Sequence, residues 1–226
     1  MTKSDFDNIA NKYDSWYENP VGQTYDRIQK REIAYALESV SDGKKMLEVG
    51  CGTGHWTAFF ANKGFDVTGV DISSKMLQVA SSKGIRSARY TLVDCRNLPF
   101  DRNTFDVACA ITALEFMSDA RTALAEIARC VRPGGKVVVG VLNRVSLLAW
   151  LRRRRGSTTF AKAHLMSNKE VRRLLKTVGD ATVNSSAFVL PWRGLLWLSR
   201  VLDAVGRFLR LPFGDFIVGT VRIQSS

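Results

Sequence analysis

The residues able to do chemistry fall into two groups. The first is the run Glu48-Val49-Gly50-Cys51-Gly52-Thr53-Gly54. An apolar pair, Met46-Leu47, leads into three glycines spaced two apart, and a helical pattern follows from about His55 to Asn62. This reads as strand, tight turn, helix. Glycine tolerates positive φ and lets a ligand approach the backbone, and the turn presents the free N–H groups of a helix N-terminus. A dinucleotide loop reads Gly-x-Gly-x-x-Gly. Here the third glycine comes one position early and His55 stands in its place. No Gly-Lys-Ser/Thr ending follows, which argues against a nucleoside triphosphate loop. Glu48 would repel a pyrophosphate but can receive a cationic ammonium group. The second group holds the few candidate bases. Glu115 follows the apolar run 105–111, and His164 lies in Ala163-His164-Leu165-Met166.

Further motifs follow the glycine run in order. Asp71 ends Gly69-Val70-Asp71-Ile72, Asp94 opens Asp94-Cys95-Arg96-Asn97-Leu98-Pro99-Phe100, Phe105-Asp106-Val107 starts another apolar run, and Arg132-Pro133-Gly134-Gly135 precedes a fifth. The set resembles class I S-adenosylmethionine-dependent methyltransferases, strongly over residues 40 to 142 and weakly at the flanks. The resemblance implies S-adenosylmethionine as cofactor and S-adenosylhomocysteine as product. It implies that Gly50, Gly52 and Gly54 permit backbone contact with the methionine part, with Glu48 near its ammonium group. Asp71 would accept hydrogen bonds from the ribose diol, where an ionised acceptor is favoured. Ile72 would pack on the adenine face, Asp94 would take the adenine amino group, and the Cys95 backbone would contact the ring. The bland alternatives are surface carboxylates at strand ends for Asp71 and Asp94, and plain core for Ile72.

Transfer from a sulfonium asks mainly for proximity and in-line alignment, since the leaving group is already activated. A base is needed only where the acceptor's proton has a high pKa. Glu115 is a substrate-facing group or an ordinary helix-start acid; His164 is a substrate contact or base in a variable region; His55 reads as structural. Residues 4–18 carry Phe6, Ile9, Ala10 and Tyr13 at helical spacing, with Trp16 and Tyr17 behind them. By resemblance this segment is a lid, with Tyr13 at the cofactor; otherwise the aromatics anchor an N-terminal helix.

These groups need elements to hold them. Apolar runs at 45–49, 65–70, 87–93, 105–111 and 136–142 alternate with helical patterns at the spacing of right-handed βαβ units. Pro20 breaks the N-terminal element, and a helix is expected from about 23 to 40. Ser73 or Ser74 caps a helix to about Ser82, and another starts after Ser118-Asp119. Beyond 142 come a helical stretch 143–151 running into Arg152-Arg153-Arg154-Arg155, a loop at 156–159, a helix at 168–178, a strand at 181–190, a long amphipathic helix 192–211 and a last strand 216–223. The βαβ spacing gives an α/β fold with a parallel sheet; the resemblance implies the rest, a Rossmann-like doubly wound seven-stranded sheet in the order 3-2-1-4-5-7-6, parallel apart from one antiparallel strand, with helices on both faces. One domain is expected over 1–226, with a lid at 1–40, a cofactor-binding core at 41–142, a variable basic insertion at 143–166 and a sheet-completing part at 167–226.

At 46% hydrophobic and 24% charged residues the composition is that of a soluble globular protein. No run of eighteen apolar residues occurs and the first residues carry no apolar signal segment, so a cytoplasmic protein is expected. Cysteines 51, 95, 109 and 130 lack metal-ligand spacing; no metal is expected. The net charge of +12 is uneven: residues 1–140 hold 18 Lys+Arg against 17 Asp+Glu, and 141–226 hold 15 against 4. An anionic partner would therefore meet the C-terminal third. In the helix 192–211, Leu195, Trp197, Leu198, Val201, Leu202, Val205, Phe208 and Leu209 face away from Ser199, Arg200, Asp203, Gly206, Arg207 and Arg210. The first expectation is that this apolar half is buried on the sheet or substrate pocket. The second is that it docks on an anionic membrane surface. The region 111–116 has no proline pair of the kind found in amino-nitrogen methylation of bases, so nucleic acid is a weaker partner than a small-molecule or lipid-like substrate. An RNA methyltransferase with a basic phosphate track, or a membrane-associated lipid or quinone methyltransferase, is the alternative. Oligomeric state is left open.

Overall fold

The computed structural model describes residues 3–38, 40, 45–154, 163–190 and 192–224. Seven strands form one sheet: β1 (Lys45–Val49), β2 (Asp66–Asp71), β3 (Ala88–Leu92), β4 (Phe105–Ile111), β5 (Val131–Leu142), β6 (Ala181–Ser186) and β7 (Phe216–Arg222). Their order is β3-β2-β1-β4-β5-β7-β6, and β7 runs antiparallel to both of its neighbours while the other pairings are parallel. The expected topology is therefore the one observed.

The period of two along the central strands builds two cores. Leu47 and Val49 on β1, Ala108 and Ala110 on β4, and Val137, Val139 and Val141 on β5 face one side, where Leu124 and Ile127 of α5 (Ala120–Cys130) and Val171 and Leu175 of α7 (Asn168–Leu175) cover them. Met46, Val107, Cys109, Ile111 and Val138 face the other, beneath Tyr25, Ile28, Ile33 and Leu37 of α2 (Pro20–Leu37) and Trp56 and Phe60 of α3 (His55–Asn62). Helices start where short polar side chains close them. Ser73 accepts from the Met76 N–H at 3.1 Å to open α4 (Ser74–Ser82), and Asp119 accepts from Arg121 and Thr122 to open α5.

Several boundaries differ from the expected ones. The N-terminal segment is α1 (Lys3–Ile9) followed by a 3-10 stretch, Ala10–Glu18. Pro20 does not break an element; it is the first residue of α2, where its missing N–H costs nothing, and Asn19 accepts from Gly22 N–H at 2.9 Å. Strand β5 reaches back through Pro133-Gly134-Gly135, with its register shifting against β4 between Phe105 and Val107. Residues 143–146 form a turn before α6 (Leu147–Arg154). The expected loop 156–159 and Arg155 lie outside the described residues. The long C-terminal helix is a 3-10 turn, Arg193–Leu198, running into α8 (Ser199–Phe208).

The orientation of α8 is the main correction. Ser199, Asp203 and Gly206 are buried, whereas Trp197, Val201, Leu202, Val205, Phe208 and Leu209 are exposed. The apolar half does not lie on the sheet or the pocket. Asp203 explains the reversal. Its carboxylate accepts from Arg31 of α2 and from the Ala187 N–H at 2.7 Å, and Arg207 reaches it at 3.2 Å. Gly206 packs on the Phe188 ring where a Cβ would stand only 2.5 Å away.

Candidate active site

The carboxyl ends of β1, β2 and β4 open on a cavity of about 680 Å³. A smaller, mostly apolar cavity of about 330 Å³ lies beside it, and Phe6, Tyr13, Thr112 and Phe116 line both. Gly50 and Gly52 turn the chain from β1 at φ +72° and +55°. At Gly50 a Cβ would strike Ala113; at Gly52 it would meet nothing within 4 Å and would occupy space a ligand can use. The loop is pinned from below. Gly50 and Cys51 N–H donate to the Val70 carbonyl, and Gly52 N–H donates to Asp71 at 2.9 Å.

Asp71 ends β2 at the mouth of the cavity. It also accepts from the Ser73 N–H at 2.8 Å. Burial pushes its carboxyl upward, against the pull of the Ser73, Gly52 and Ile72 N–H groups. Ile72 is 42% exposed and lines the same cavity, so it is not plain core. It offers a flat apolar contact beside an acceptor, the combination needed to hold a ring and its sugar. Asp94 and Cys95 line the opposite wall. Asp94 is held by Arg96 through the guanidinium Nε at 3.0 Å and Nη2 at 2.5 Å, which keeps its carboxyl below the usual range. Cys95 Sγ meets Met117 Sδ at 3.4 Å.

Two expected residues stand away from the cavity. Glu48 is buried under the loop, where the Thr57 hydroxyl donates to it at 2.5 Å. Burial, opposed by that hydrogen bond, pushes it up to about 8. It supports the loop as a neutral acid, and its side chain is not among those facing the ligand space. Gly54 caps α3 at φ +79°, close to Ala80 and Tyr90. Its role is packing of the loop on α4.

Glu115 and His164, far apart in sequence, share the cavity wall. Glu115 sits in a 3-10 turn, Leu114–Phe116, after β4. Its Oε1 accepts from Leu142 N–H at 3.1 Å; Oε2 is buried without a hydrogen-bond partner among the described residues. Burial pushes its carboxyl up to about 7, with its own N–H and that of Leu142 opposing. The His164 N–H donates to the Glu115 carbonyl at 2.6 Å, tying the strand-five connection to this turn; its side chain is exposed at the rim.

The N-terminal segment covers this site and latches to it. Ser73 Oγ donates to Asp7 at 2.6 Å, Thr53 Oγ1 donates to Asp14 at 2.6 Å, and Lys83 pairs with the other Asp14 oxygen. Tyr17 stacks on His55 with centroids 3.6 Å apart, and Asp26 holds the same imidazole at 2.7 Å. His55 is thus structural, as expected. Tyr13 reaches between the cavities, bonded to Thr112, its phenol pushed up to about 12 by burial and by nearby Glu115 and Asp71. The aspartates Asp7 and Asp14, seven apart among the aromatics, were the signal of a latch that motif reading passes over. Thr112 carried none: its positive φ of 49° is visible only in the structure.

A family profile described as "Methyltransferase domain" matches residues 47–139. An uncharacterised protein of Methanocaldococcus jannaschii is 31% identical over 184 residues, covering 80% of this chain and 83% of that protein. The demethylmenaquinone methyltransferase of Staphylococcus epidermidis is 36% identical over 139 residues, covering 59% of this chain and 56% of the enzyme. The chain thus spans about half the length of that characterised relative. A SAM-dependent methyltransferase structure from Thermotoga maritima superposes with a TM-score of 0.73 at 21% identity over 99% of this chain and all of that one, a likeness of fold.

Proposed function

The chain belongs to the class I S-adenosylmethionine-dependent methyltransferase family, and from that premise we propose that it methylates a small, apolar, lipid-like acceptor carrying a weakly acidic hydroxyl proton, as on a hydroxylated ring. One observation carries the acceptor class: the 330 Å³ chamber beside the cofactor cavity is lined by Phe6, Ile9, Tyr13, Trp16, Tyr17 and Phe116. Such walls favour a flat apolar molecule. The Staphylococcus relative, named for a demethylmenaquinone, is consistent with that class.

The residues present fit the cofactor. Gly52 leaves a space that a Cβ would fill, Asp71 offers an acceptor at the cavity mouth, and Ile72 and Met76 supply apolar walls. Gly50, Gly52, Asp71, Ile72, Asp94 and Cys95 would hold S-adenosylmethionine, whose sulfonium supplies an activated methyl group when bound. The latched N-terminal segment excludes water and keeps the acceptor at the junction of the two cavities, the proximity that such a displacement chiefly needs. Glu115 Oε2, buried and without a hydrogen-bond partner among the described residues, takes the acceptor's proton, and with its carboxyl near 7 it does so at neutral pH. Tyr13 and Thr112 orient the acceptor's oxygen at the shared wall.

The test is a transfer panel with methyl-labelled S-adenosylmethionine: a hydroxylated naphthoquinol, a fatty acyl acid, a water-soluble amine and bulk RNA. Label in the quinol product, rising with pH through about 7 and falling about 10²–10⁴-fold in Glu115→Gln, is the expected result; label in the acyl product that is indifferent to Glu115→Gln would keep the apolar class and remove the base. Label confined to the amine or RNA would replace the acceptor class.

A further inference from the structure

Apart from Leu196, which packs on the core, and the half-buried Leu198, the turn 193–198 and helix α8 carry their large apolar residues outward. Trp197 is 69% exposed, Val201 58% and Phe208 86%, with Leu202, Val205 and Leu209 between them. Scattered exposed apolar residues are ordinary, but a continuous helical stripe marks an interaction surface. The stripe is not a loosely held end. Ser199 and Asp203 beneath it are fully buried, and Asp203 is fixed by Arg31, Arg207 and the Ala187 N–H. The fold orients this face outward and locks it there.

The charge around the stripe selects its partner. From Ala181 to Gly214 the sole acidic residue is Asp203, and it is buried; the same span holds Arg193, Arg200, Arg207 and Arg210. Arg200 and Arg210 are exposed at the flanks of the stripe. On the same side of the sheet, α6 is rooted through Leu148 in the cluster that also takes Leu196, and it presents Leu147 and Trp150 outward with Arg154 over the Trp150 ring. Apolar residues, indoles and arginines without surface carboxylates are the composition of an interfacial anchor. A second copy of the chain would bring the same arginines and the same strongly positive C-terminal third against this one. An anionic surface meets them with complementary charge.

We infer that the outward face of the 193–208 segment, flanked by Arg200 and Arg210, docks the protein on an anionic lipid bilayer. No helix among the described residues is long and apolar enough to cross a membrane, so the attachment is peripheral. The same helix that grips α8 through Arg31 also places Gln29 in the wall of the apolar chamber. A docked protein would therefore hold that chamber beside the helix that carries its anchor, on the path of a lipid-soluble acceptor. The docking face stands independently of the acceptor assignment.

Flotation of the full chain with vesicles tests it. Phosphatidylcholine vesicles should leave the protein in solution, and vesicles one-third phosphatidylglycerol should carry it up, with binding reversed by salt. Val201→Glu with Phe208→Glu should weaken binding more than about tenfold. Arg200→Gln and Arg210→Gln should each weaken it roughly fivefold. All four side chains are exposed, so S-adenosylhomocysteine binding and the melting temperature should stay at the wild-type values; this separates failure of docking from failure of the fold or of the enzyme reading. No binding to anionic vesicles, or binding that survives Val201→Glu/Phe208→Glu, would overturn the inference. So would a concentration-dependent dimer that Phe208→Glu dissolves, because a second copy would then own the face.

Discussion

Helices α5 and α8 are both amphipathic, and they sit in opposite senses. α5 turns Ala123, Leu124, Ile127 and Cys130 into the core, and its polar side does local work: Arg129 donates to the Leu98 and Phe100 carbonyls and Glu126 accepts from Leu98 N–H. α8 turns Ser199, Asp203 and Gly206 inward and leaves its larger apolar side in solvent. The difference lies in what each helix finds beneath it. α5 packs on an apolar sheet face with no charge to satisfy. α8 lies over Arg31 and the free N–H of Ala187, groups that need an acceptor once desolvated. A hydrophobic pattern groups residues on a face; the strongest buried anchor decides which way that face points. The apolar area left outside α8 is stabilisation that an apolar surface can still recover.

The comparison breaks most visibly at its anchor. Asp203→Ala orphans the buried Ala187 N–H and leaves Arg31 and Arg207 to share Glu32, and should cost about 3–5 kcal/mol, seen as a fall of roughly 10 °C in thermal unfolding. The matching cut in α5, Leu124→Ala, removes packing without orphaning a charge and should cost about 3 kcal/mol. A smaller loss at Asp203 than at Leu124 would mean that packing, not the ionic anchor, orients α8. Glu115 differs from Asp203 in that, among the described residues, its buried carboxyl has no cation beside it. Its folded carboxyl, near 7, lies above its ordinary 4.5, so the folded state binds the proton more tightly and stability falls as pH rises between those values. Glu115→Gln should therefore raise stability at pH 8 by about 3 kcal/mol, with no gain below pH 4. The smallest effect belongs to the outward stripe: Val201→Ser should stay within about 0.5 kcal/mol in thermal melts without lipid.

Much of the architecture was legible because it is locally encoded. The glycine run after a short apolar strand, the carboxylate ending β2 and the alternation of strands and helices depend on neighbours a few residues apart, and the sheet order follows from the family those motifs resemble. Asp71, Ile72, Asp94, Cys95, Glu115, His164 and Tyr13 all line the large cavity. What escaped depends on distant partners or on depth. Arg31 and Asp203 are 172 positions apart. Glu48 sits beside the loop in sequence, yet strand geometry sends its side chain under α3 to Thr57, away from the ammonium role the resemblance gave it. The latch from Asp7 and Asp14 reaches 66 and 39 positions to Ser73 and Thr53. No periodicity within a window reports such contacts.

We propose that the glycine loop and Asp71 hold the S-adenosylmethionine of this methyltransferase. Calorimetric titration of the full chain with S-adenosylhomocysteine tests it most directly. Wild type should bind at one site, and Asp71→Ala should weaken binding roughly 100-fold, the loss of two charge-assisted hydrogen bonds, while Arg200→Gln, on the far helix, binds as wild type. No binding by wild type, or equal binding by Asp71→Ala, would contradict the account.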